Sequence, residues 1–422
     1  MSATTVVTLR KGPDINHAKL GLIAEGERLT VLERDAEHRT IEEKSDFWYR
    51  VERESGQTGW VFGAYLAPET VRESRKPGAP PSSAEAGLNP TLAPDAPSDE
   101  LIRPLDSTLL EKLLVARGFE IPETFKALII EIVRDGSGNF MYYPMDLNGT
   151  SGDRDNWWPA STVKLYAAIA ALEKSRAMGF TPKAELTFEY EDSPVSQSLE
   201  LLVKRALIDS RNPEFDRLVE FVGSGRLNKS FLVRAKGIRD TVMTRCYSGR
   251  VLHPELGKCS NRHSPPIRIL EKRRSRSLQE TFNPTPYDCD REGNCTTLAD
   301  LTEALRRVMM HEHLPPSKRY ELGPKELSLL RSALHKKAKG GVNDGIRTVF
   351  KGRPFEIFHK GGYADRWFSD NIFLRINDTN EQWIIALVNR PGRDSLNEAA
   401  LHVASLIADG TLSRARQRAF GE

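Results

Sequence analysis

One serine and one lysine stand three residues apart at the start of an apolar stretch. Ser161-Thr162-Val163-Lys164 is the only S-x-x-K in the sequence, and residues 165–172 continue with an apolar helical pattern. Because residues i and i+3 of a helix share a face, the hydroxyl group of Ser161 and the amine of Lys164 are expected one turn apart. A lysine kept neutral by burial and by neighbouring cations can accept the proton of the serine. The spacing predicts a nucleophile for acyl transfer.

An S-x-x-K pattern alone is weak, because chance produces about one or two in a chain of this length. Its place at a helix start, after two predicted strands, strengthens it. The string Pro159-Ala160-Ser161-Thr162-Val163-Lys164 resembles the first motif of class A beta-lactamases and penicillin-binding proteins. The resemblance implies a serine hydrolase with an acyl-enzyme intermediate and two further motifs in a fixed order.

Both further motifs are present in that order. Ser210-Arg211-Asn212 matches the S-x-N element and lies between two helical stretches. Lys360-Gly361-Gly362 follows a predicted strand over residues 355–359 and matches the Lys-Thr/Ser-Gly element. Thr296-Thr297-Leu298-Ala299-Asp300-Leu301 resembles the segment after the omega loop of the family. The resemblance therefore covers nearly all of residues 105–415.

The resemblance also implies the roles of individual residues. Ser161 is the nucleophile, Lys164 its base, and Ser210 a proton relay. Lys360 supplies positive charge near the nucleophile, and Asn212 donates to the substrate amide. The predicted catalytic residues are Ser161, Lys164, Ser210 and Lys360. The predicted substrate-binding residues are Asn212, Gly361, Gly362 and Tyr363, with the backbone N–H groups of Ser161 and Tyr363 forming the oxyanion hole.

The sequence departs from the family pattern at several points. Gly361 replaces the hydroxyl residue that usually grips a substrate carboxylate, and Arg211 replaces the aspartate of the beta-lactamase form. Residues 246–295 are longer than an ordinary omega loop and lack a secure Glu-x-x-x-Asn for deacylation. Glu255 and Glu280 are the candidates there, and both are expected to be solvated loop carboxylates. We therefore expect slow turnover of an acyl-enzyme and weak binding of penicillin.

Two other strings imitate the motifs. Ser369-Asp370-Asn371 is a literal S-D-N, but it follows the lysine motif and enters a predicted strand, so we interpret it as structural. Lys339-Gly340-Gly341 ends a helical stretch, where glycine serves as a cap. Lys360 is preferred because a strand precedes it.

The chain is predicted to contain two domains and a linker. Within residues 1–69, short alternating runs at 6–9, 29–32, 48–51 and 59–62 predict a small all-β barrel. The string from Thr58 to Leu66 resembles the end of a bacterial SH3-like domain, which implies a binding module, often for cell-wall peptides. A barrel that merely packs against its neighbour is the alternative. Residues 70–104 are rich in Pro, Ser, Ala and Glu, as in a semi-extended linker.

Residues 105–422 are predicted to form one α/β (α+β) domain. A helix over 109–117, capped by Ser107, precedes a hairpin whose turn is Asp135-Gly136-Ser137-Gly138. A helical middle separates this hairpin from the later strands. The predicted strands are 127–133, 140–143, 355–359, 372–376 and 383–388, and a helix follows over 396–408. This order predicts a five-stranded antiparallel sheet built from both chain ends and flanked by helices.

Composition excludes some classes of function. The net charge of +3, from 61 basic and 58 acidic residues, gives no support for nucleic-acid binding. The basic run 271–276 is expected in a solvated loop. No apolar run approaches the roughly 18 residues that span a bilayer. The four cysteines include no C-x-x-C pair of the kind that binds zinc. We therefore predict neither a metal nor another cofactor.

Cysteine usage bears on the compartment. All four cysteines lie within residues 246–295, which favours one or two disulfides and an oxidising compartment. Four reduced thiols in a cytosolic protein are the alternative. Residues 1–11 lack the apolar core of a signal peptide, so either a leader has been removed or the protein stays inside. We expect an extracytoplasmic location, in the periplasm or at the cell surface.

Three functions remain open from the sequence. The leading hypothesis is a serine hydrolase or transpeptidase-like enzyme that acts on cell-wall peptides or related amides and esters, with the SH3-like domain supplying attachment. A class A beta-lactamase with an unusual loop is the second hypothesis. The third is a non-catalytic peptidoglycan-binding protein, which the intact motif residues argue against.

Overall fold

The chain divides into two compact units, Met1–Leu92 and Ala93–Glu422. The computed structural model describes residues 2–3, 7–15, 17–24, 27–41, 44–53, 56–67, 102–154, 157–248, 252–253, 258–259, 263–282, 289, 293–335, 342–364, 366–390 and 392–421. The predicted linker therefore lies almost entirely outside the described residues.

The first unit is built on a five-stranded antiparallel sheet with the order β3-β2-β6-β5-β4. The strands of this unit are β1 (Ser2–Ala3), β2 (Val7–Arg10), β3 (Lys19–Ile23), β4 (Leu29–Ile41), β5 (Lys44–Arg53), β6 (Thr58–Phe62) and β7 (Leu66–Ala67). β1 and β7 pair with each other, outside the five-stranded sheet. Leu9, Val51 and Val61 are fully buried between the strands. Gly59 permits this packing, because a Cβ atom there would lie 2.6 Å from the Leu9 side chain. The sheet confirms the predicted all-β fold and adds β3, whose alternating pattern is weak.

The second unit is organised around a five-stranded antiparallel sheet with the order β20-β21-β22-β8-β9. Its strands are β8 (Lys126–Arg134), β9 (Phe140–Asp146), β20 (Phe355–Ala364), β21 (Trp367–Ile376) and β22 (Glu381–Asn389). β8 and β22 are apolar at most interior positions because both sheet faces are covered, whereas β21 carries Ser369, Asp370 and Asn371 in its middle. Neighbouring Ile384 and Ile385 are both fully buried and belong to two different core clusters. The predicted sheet from both chain ends is confirmed.

Helices cover both faces of this sheet. In the described part of the chain they are α1 (Leu109–Ala116), α2 (Lys164–Ala177), α3 (Leu199–Leu207), α4 (Asn212–Val222), α5 (Ser224–Arg226), α6 (Leu298–Met309), α7 (Pro324–Leu334), α8 (Val342–Val349), α9 (Arg393–Ala408) and α10 (Thr411–Phe420). One core cluster joins the sheet to α2, α3, α4, α6 and α7, and the other joins it to α1, α8, α9 and α10. The edge strand β20 borders both layers.

The predicted cap of the first helix is wrong in detail. The residue before α1 is Thr108 rather than Ser107, and its side chain makes no capping bond. Asp106 Oδ1 instead accepts hydrogen bonds from the backbone N–H of Thr108, at 2.7 Å, and from its hydroxyl group, at 2.6 Å. A carboxylate one residue further out therefore orders the start of this helix.

Short strands lie between α2 and α6, on either side of α3 and α4. They are β10 (Glu185–Phe188), β11 (Val195–Ser198), β12 (Val242–Met243), β13 (Leu252–His253), β14 (Lys258–Cys259), β15 (His263–Ser264), β16 (Ile267–Glu271), β17 (Arg274–Leu278), β18 (Thr281–Phe282) and β19 (Asn294–Cys295). Four of them form a sheet with the order β11-β10-β16-β17. The basic run 271–276, expected in a loop, instead forms the hairpin of β16 and β17, although most of its side chains are exposed. The preceding residues 267–270 of β16 also pair with β10, which sequence alone did not reveal.

Disulfides hold the end of this region. Cys289 and Cys295 are bonded to each other, and Cys246 is also disulfide-bonded. None of the cysteines in the described residues is free. The prediction of disulfides within residues 246–295 agrees with this arrangement.

Candidate active site

A tight turn presents Ser161. Residues Ala160–Val163 form a 3-10 helix, here called the nucleophile turn, and α2 begins at Lys164. Ala160 has a φ of +46°, a conformation that costs free energy for a residue with a side chain. Two hydrogen bonds hold the turn: the Thr162 hydroxyl donates to the Pro159 carbonyl oxygen at 2.6 Å, and the Tyr247 hydroxyl donates to the Ala160 carbonyl oxygen at 2.8 Å. The surrounding structure therefore fixes the strained turn.

Lys164 is fully buried beneath this turn. Its Nζ donates to the carbonyl oxygen of Ser210 at 2.5 Å and to Asn212 Oδ1 at 2.7 Å, and it lies 3.4 Å from Ser210 Oγ. Burial, and secondly the charge of Lys360, lower the pKa of Lys164 to about 7. A substantial fraction of the amine is therefore neutral at neutral pH and able to accept a proton.

Ser210 joins the two lysines of the motifs. It lies between α3 and α4 with a φ of +54°, which turns the chain so that its side chain and that of Asn212 reach the same lysine. Its hydroxyl oxygen accepts a hydrogen bond from Lys360 Nζ at 3.0 Å and lies 3.4 Å from Lys164 Nζ. The structure thus brings together three of the four predicted catalytic side chains through direct contacts.

Lys360 extends from the edge strand β20 and is 5% exposed. Its Nζ also donates to the carbonyl oxygen of Gly361 at 2.8 Å. Burial lowers the pKa of Lys360 to about 8, and the carboxylate of Asp370 opposes that change. Lys360 is thus protonated over most of the pH range in which Lys164 titrates.

The same strand packs closely on the nucleophile turn at Gly362. A Cβ atom at this position would lie 2.6 Å from the Pro159 carbonyl oxygen and 3.0 Å from the backbone nitrogen of Ser161. Only glycine fits such an approach. Tyr363, the next residue, follows directly along the backbone and has an exposed side chain whose ring lies 4.3 Å from that of Phe368. The contact places the edge strand beside the N–H group of Ser161, where the oxyanion hole was predicted.

Two aromatic residues of the site were not predicted. The rings of Phe215 and Tyr247 lie 4.8 Å apart, and Lys164 Nζ lies 5.8 Å and 5.7 Å from their centroids. Tyr247 also accepts a hydrogen bond from Asn212 Nδ2 at its carbonyl oxygen, at 3.2 Å. Burial raises the pKa of Tyr247, so its hydroxyl group stays a donor. Nothing in the sequence around this tyrosine, inside the long cysteine-containing region, indicated its role.

Comparisons with known proteins identify the family. Residues 127–410, about two thirds of the chain, match the beta-lactamase enzyme family. The chain belongs to the beta-lactamase enzyme family. Residues 5–67 match the bacterial SH3 domain. No curated protein matches the chain.

Solved structures with a similar fold share little sequence with the chain. PBP-A is 15% identical, with a TM-score of 0.48 over 73% of this chain and 98% of its own. A beta-lactamase from Sphaerobacter thermophilus is 17% identical, with a TM-score of 0.48 over 73% of this chain and 99% of its own. A class A beta-lactamase from Mycobacterium abscessus is 15% identical, with a TM-score of 0.45 over 72% of this chain and 99% of its own.

In this beta-lactamase family fold, one of the two imitating strings lies directly beside the lysine motif, because Ser369, Asp370 and Asn371 pair with Gly362, Gly361 and Lys360. Ser369-Asp370-Asn371 lies inside β21, and Asn371 Nδ2 donates to the carbonyl oxygen of Leu301 at 2.7 Å, a bond between sheet and helix. Lys339-Gly340-Gly341 lies outside the described residues. Arg211, at the centre of the S-x-N motif, pairs with Glu214 at 3.0 Å and is largely exposed.

The structure describes only one of the two candidate carboxylates for deacylation. Glu280 is exposed, and its carboxylate lies 3.6 Å from His263. In the described part of the chain, no contact joins Glu280 to Ser161 or Lys164. Glu255 lies outside the described residues. Among the described residues, no cluster of three or more His, Cys, Asp or Glu side chains could hold a metal ion. The helices of this described part are too short or too polar to span a membrane.

Proposed function

We propose that this protein is a serine acyl-transfer hydrolase that acts on cell-wall peptides or on related amides and esters. The observation that carries the proposal is the state of Lys164, which is buried one turn from Ser161, has a pKa of about 7, and contacts Ser210. Structural lysines usually remain charged in an ion pair at the surface. A buried lysine that is half neutral at pH 7, next to a second ammonium group, is suited to general-base catalysis.

The proposed reaction follows from these contacts. Neutral Lys164 removes the proton from Ser161 as Oγ attacks the acyl carbon, and the N–H groups of Ser161 and Tyr363 receive the oxyanion. Ser210, between the two lysines, then passes a proton to the leaving nitrogen or oxygen, and the acyl group remains on Ser161. Attack of water or of an amine on this ester releases the product and restores the serine.

Class A beta-lactamase activity has less support. Rapid deacylation needs a carboxylate that positions water at the acyl carbon. Glu280 makes no contact with the site in the described residues, and Glu255 lies outside them. A purely binding role has less support as well. It leaves the lowered pKa values of Lys164 and Lys360 without a use.

The second part of the proposal concerns location and attachment. We assign residues 1–69 to an SH3-like domain that attaches the enzyme to peptidoglycan, residues 70–104 to a linker, and residues 105–422 to the hydrolase domain. The match of residues 5–67 to the bacterial SH3 domain supports the first assignment. The disulfide between Cys289 and Cys295 supports an extracytoplasmic location, because such bonds persist in oxidising compartments.

The test is covalent labelling of Ser161. A fluorophosphonate or an activated ester should add one group to the full-length protein, and mass mapping should place it on Ser161. Ser161→Ala should abolish labelling, and Lys164→Ala should slow it by roughly 10²- to 10⁴-fold. Ser175→Ala, which removes a buried hydroxyl group from the same helix, is the matched control. Labelling of another serine, or unchanged ester hydrolysis by Ser161→Ala, would falsify the proposal.

A further inference from the structure

The edge strand β20 carries two different sets of side chains on its two faces. Lys360 contacts Ser210, and on the same face Gly362 packs against the nucleophile turn. Because side chains alternate along a strand, His359, Gly361 and Tyr363 lie on the other face. Gly361 has no side chain, so β20 places no side-chain atom at this position of the sheet edge next to Lys360, which is here called the gap.

Two oxygen atoms of β21 border this gap. Gly361 is paired directly with Asp370 of β21. A Cβ atom on Gly361 would lie 3.4 Å from Asp370 Oδ1 and 3.4 Å from the backbone carbonyl oxygen of Ser369. Both atoms are hydrogen-bond acceptors. A substrate group over Gly361 therefore meets a carboxylate and a carbonyl oxygen.

Neighbouring residues hold Asp370 firmly in this position. His359 Nδ1 lies 3.0 Å from its Oδ1, and the backbone N–H of Asn371 donates to the same oxygen at 3.0 Å. Asn343 Nδ2 lies 3.5 Å from Oδ2. Asp370 is 6% exposed, so its charge is poorly screened by water. Its charge also offsets part of that of Lys360, which weakens the attraction that an isolated lysine has for a substrate carboxylate.

We propose that the substrate carries an ammonium group, and not a carboxylate, where it lies over Gly361. This inference rests on the proposed acyl-transfer function. The two acceptors fit the several N–H donors of an ammonium group, whereas a carboxylate would face two oxygens with no proton between them. Tyr363, on the same face, is 63% exposed and presents an aromatic ring that attracts a cation. Asp370 is thus a specificity-determining residue for this site.

The test compares three activated esters of one acyl group that differ at a single position, which carries an ammonium, a carboxamide or a carboxylate group. Acylation of Ser161 in the full-length protein is followed by stopped-flow kinetics and intact mass. The rate should fall in the order ammonium, carboxamide, carboxylate. Each step should be at least about fivefold, the effect of a unit charge about 4 Å away even when water screens it.

Asp370→Asn removes the charge and keeps the shape of the side chain. It should reduce the ratio of the ammonium rate to the carboxylate rate by at least about 25-fold, while the carboxamide rate changes less. Glu356→Gln is the matched control, because Glu356 lies on the same strand and pairs with Arg375 away from the gap. Tyr363→Ala, at an exposed position that does not threaten folding, should slow the ammonium ester more than the carboxamide ester, by about two- to fivefold.

The outcomes separate the two proposals. If none of the three esters acylates Ser161, the proposed function fails. If Ser161 is acylated but the carboxylate ester reacts as fast as the ammonium ester, the inference alone is wrong. An unchanged ratio in both Asp370→Asn and Tyr363→Ala also overturns the inference and leaves the acyl-transfer function standing.

Discussion

The charge of Lys360 should control the pH at which Lys164 becomes a base. The ammonium nitrogens of both lysines lie within 3.4 Å of Ser210 Oγ, so the two charges are about 6 Å apart or less. Two unit charges at about 6 Å repel each other by about 0.7 kcal/mol in water and about 2.8 kcal/mol at an effective dielectric constant of about 20. One pKa unit corresponds to about 1.4 kcal/mol. Removal of the Lys360 charge should therefore raise the pKa of Lys164 by about 0.5 to 2 units.

The perturbation is Lys360→Met, which keeps the length of the side chain without its charge. Acylation requires neutral Lys164, so in the unmodified protein its rate should rise with pH through a midpoint near the Lys164 pKa of about 7. Lys360, with a pKa of about 8, is still mostly protonated there. In the variant, the midpoint should move to higher pH because less repulsion acts on protonated Lys164. Single-turnover acylation by a neutral ester between pH 5.5 and 9.5 measures both midpoints.

The control is Lys351→Met, which removes an exposed charge from the turn before β20. Solvent screens this charge, so the midpoint should not move. A lower rate in Lys360→Met without a change in midpoint would mean that Lys360 acts on the substrate rather than on Lys164. A midpoint that moves to lower pH would refute the electrostatic reasoning itself.

Three further predictions concern the frame of the site. Gly362→Ala should slow acylation and lower the free energy of unfolding by about 1–3 kcal/mol, because its Cβ overlaps the nucleophile turn; ester kinetics and denaturant titration measure both effects. Tyr247→Phe, which loses the bond to Ala160, should lower the acylation rate while the pH midpoint stays, and a shifted midpoint would contradict a positioning role. Replacement of Cys289 and Cys295 by serine should cost about 2 kcal/mol of stability, the entropy of a short closed loop, and an unchanged denaturant midpoint would count against this.

The sheet could be predicted well because its strands carry simple signals. The apolar runs at 127–133 and 383–388 mark strands covered on both faces, and these became β8 and β22. Strand ends were harder to predict. The strand predicted over 355–359 continues to Ala364, since pairing with β21 overrides the glycines that normally break a strand. Local sequence cannot reveal such pairing between distant segments.

The candidate site was predicted as a set of residues rather than as a set of contacts. The motif spacing placed Ser161 and Lys164 on one helix turn, and the structure agrees with that placement. The contact of Ser210 with both lysines depends on a positive φ at a residue other than glycine, which sequence patterns do not reveal. Tyr247 was missed because tertiary folding alone brings it to the nucleophile turn.

Because the sheet combines strands from both ends of the domain, the order of synthesis determines when the protein becomes reactive. The residues of the nucleophile turn are synthesised early. Their neighbours Lys360 and Gly362 belong to β20, which emerges from the ribosome only after the whole helical middle. Contacts between such distant segments form slowly. We therefore expect a nascent chain to contain Ser161 without acylating power, and to gain that power only when the last three strands join the sheet.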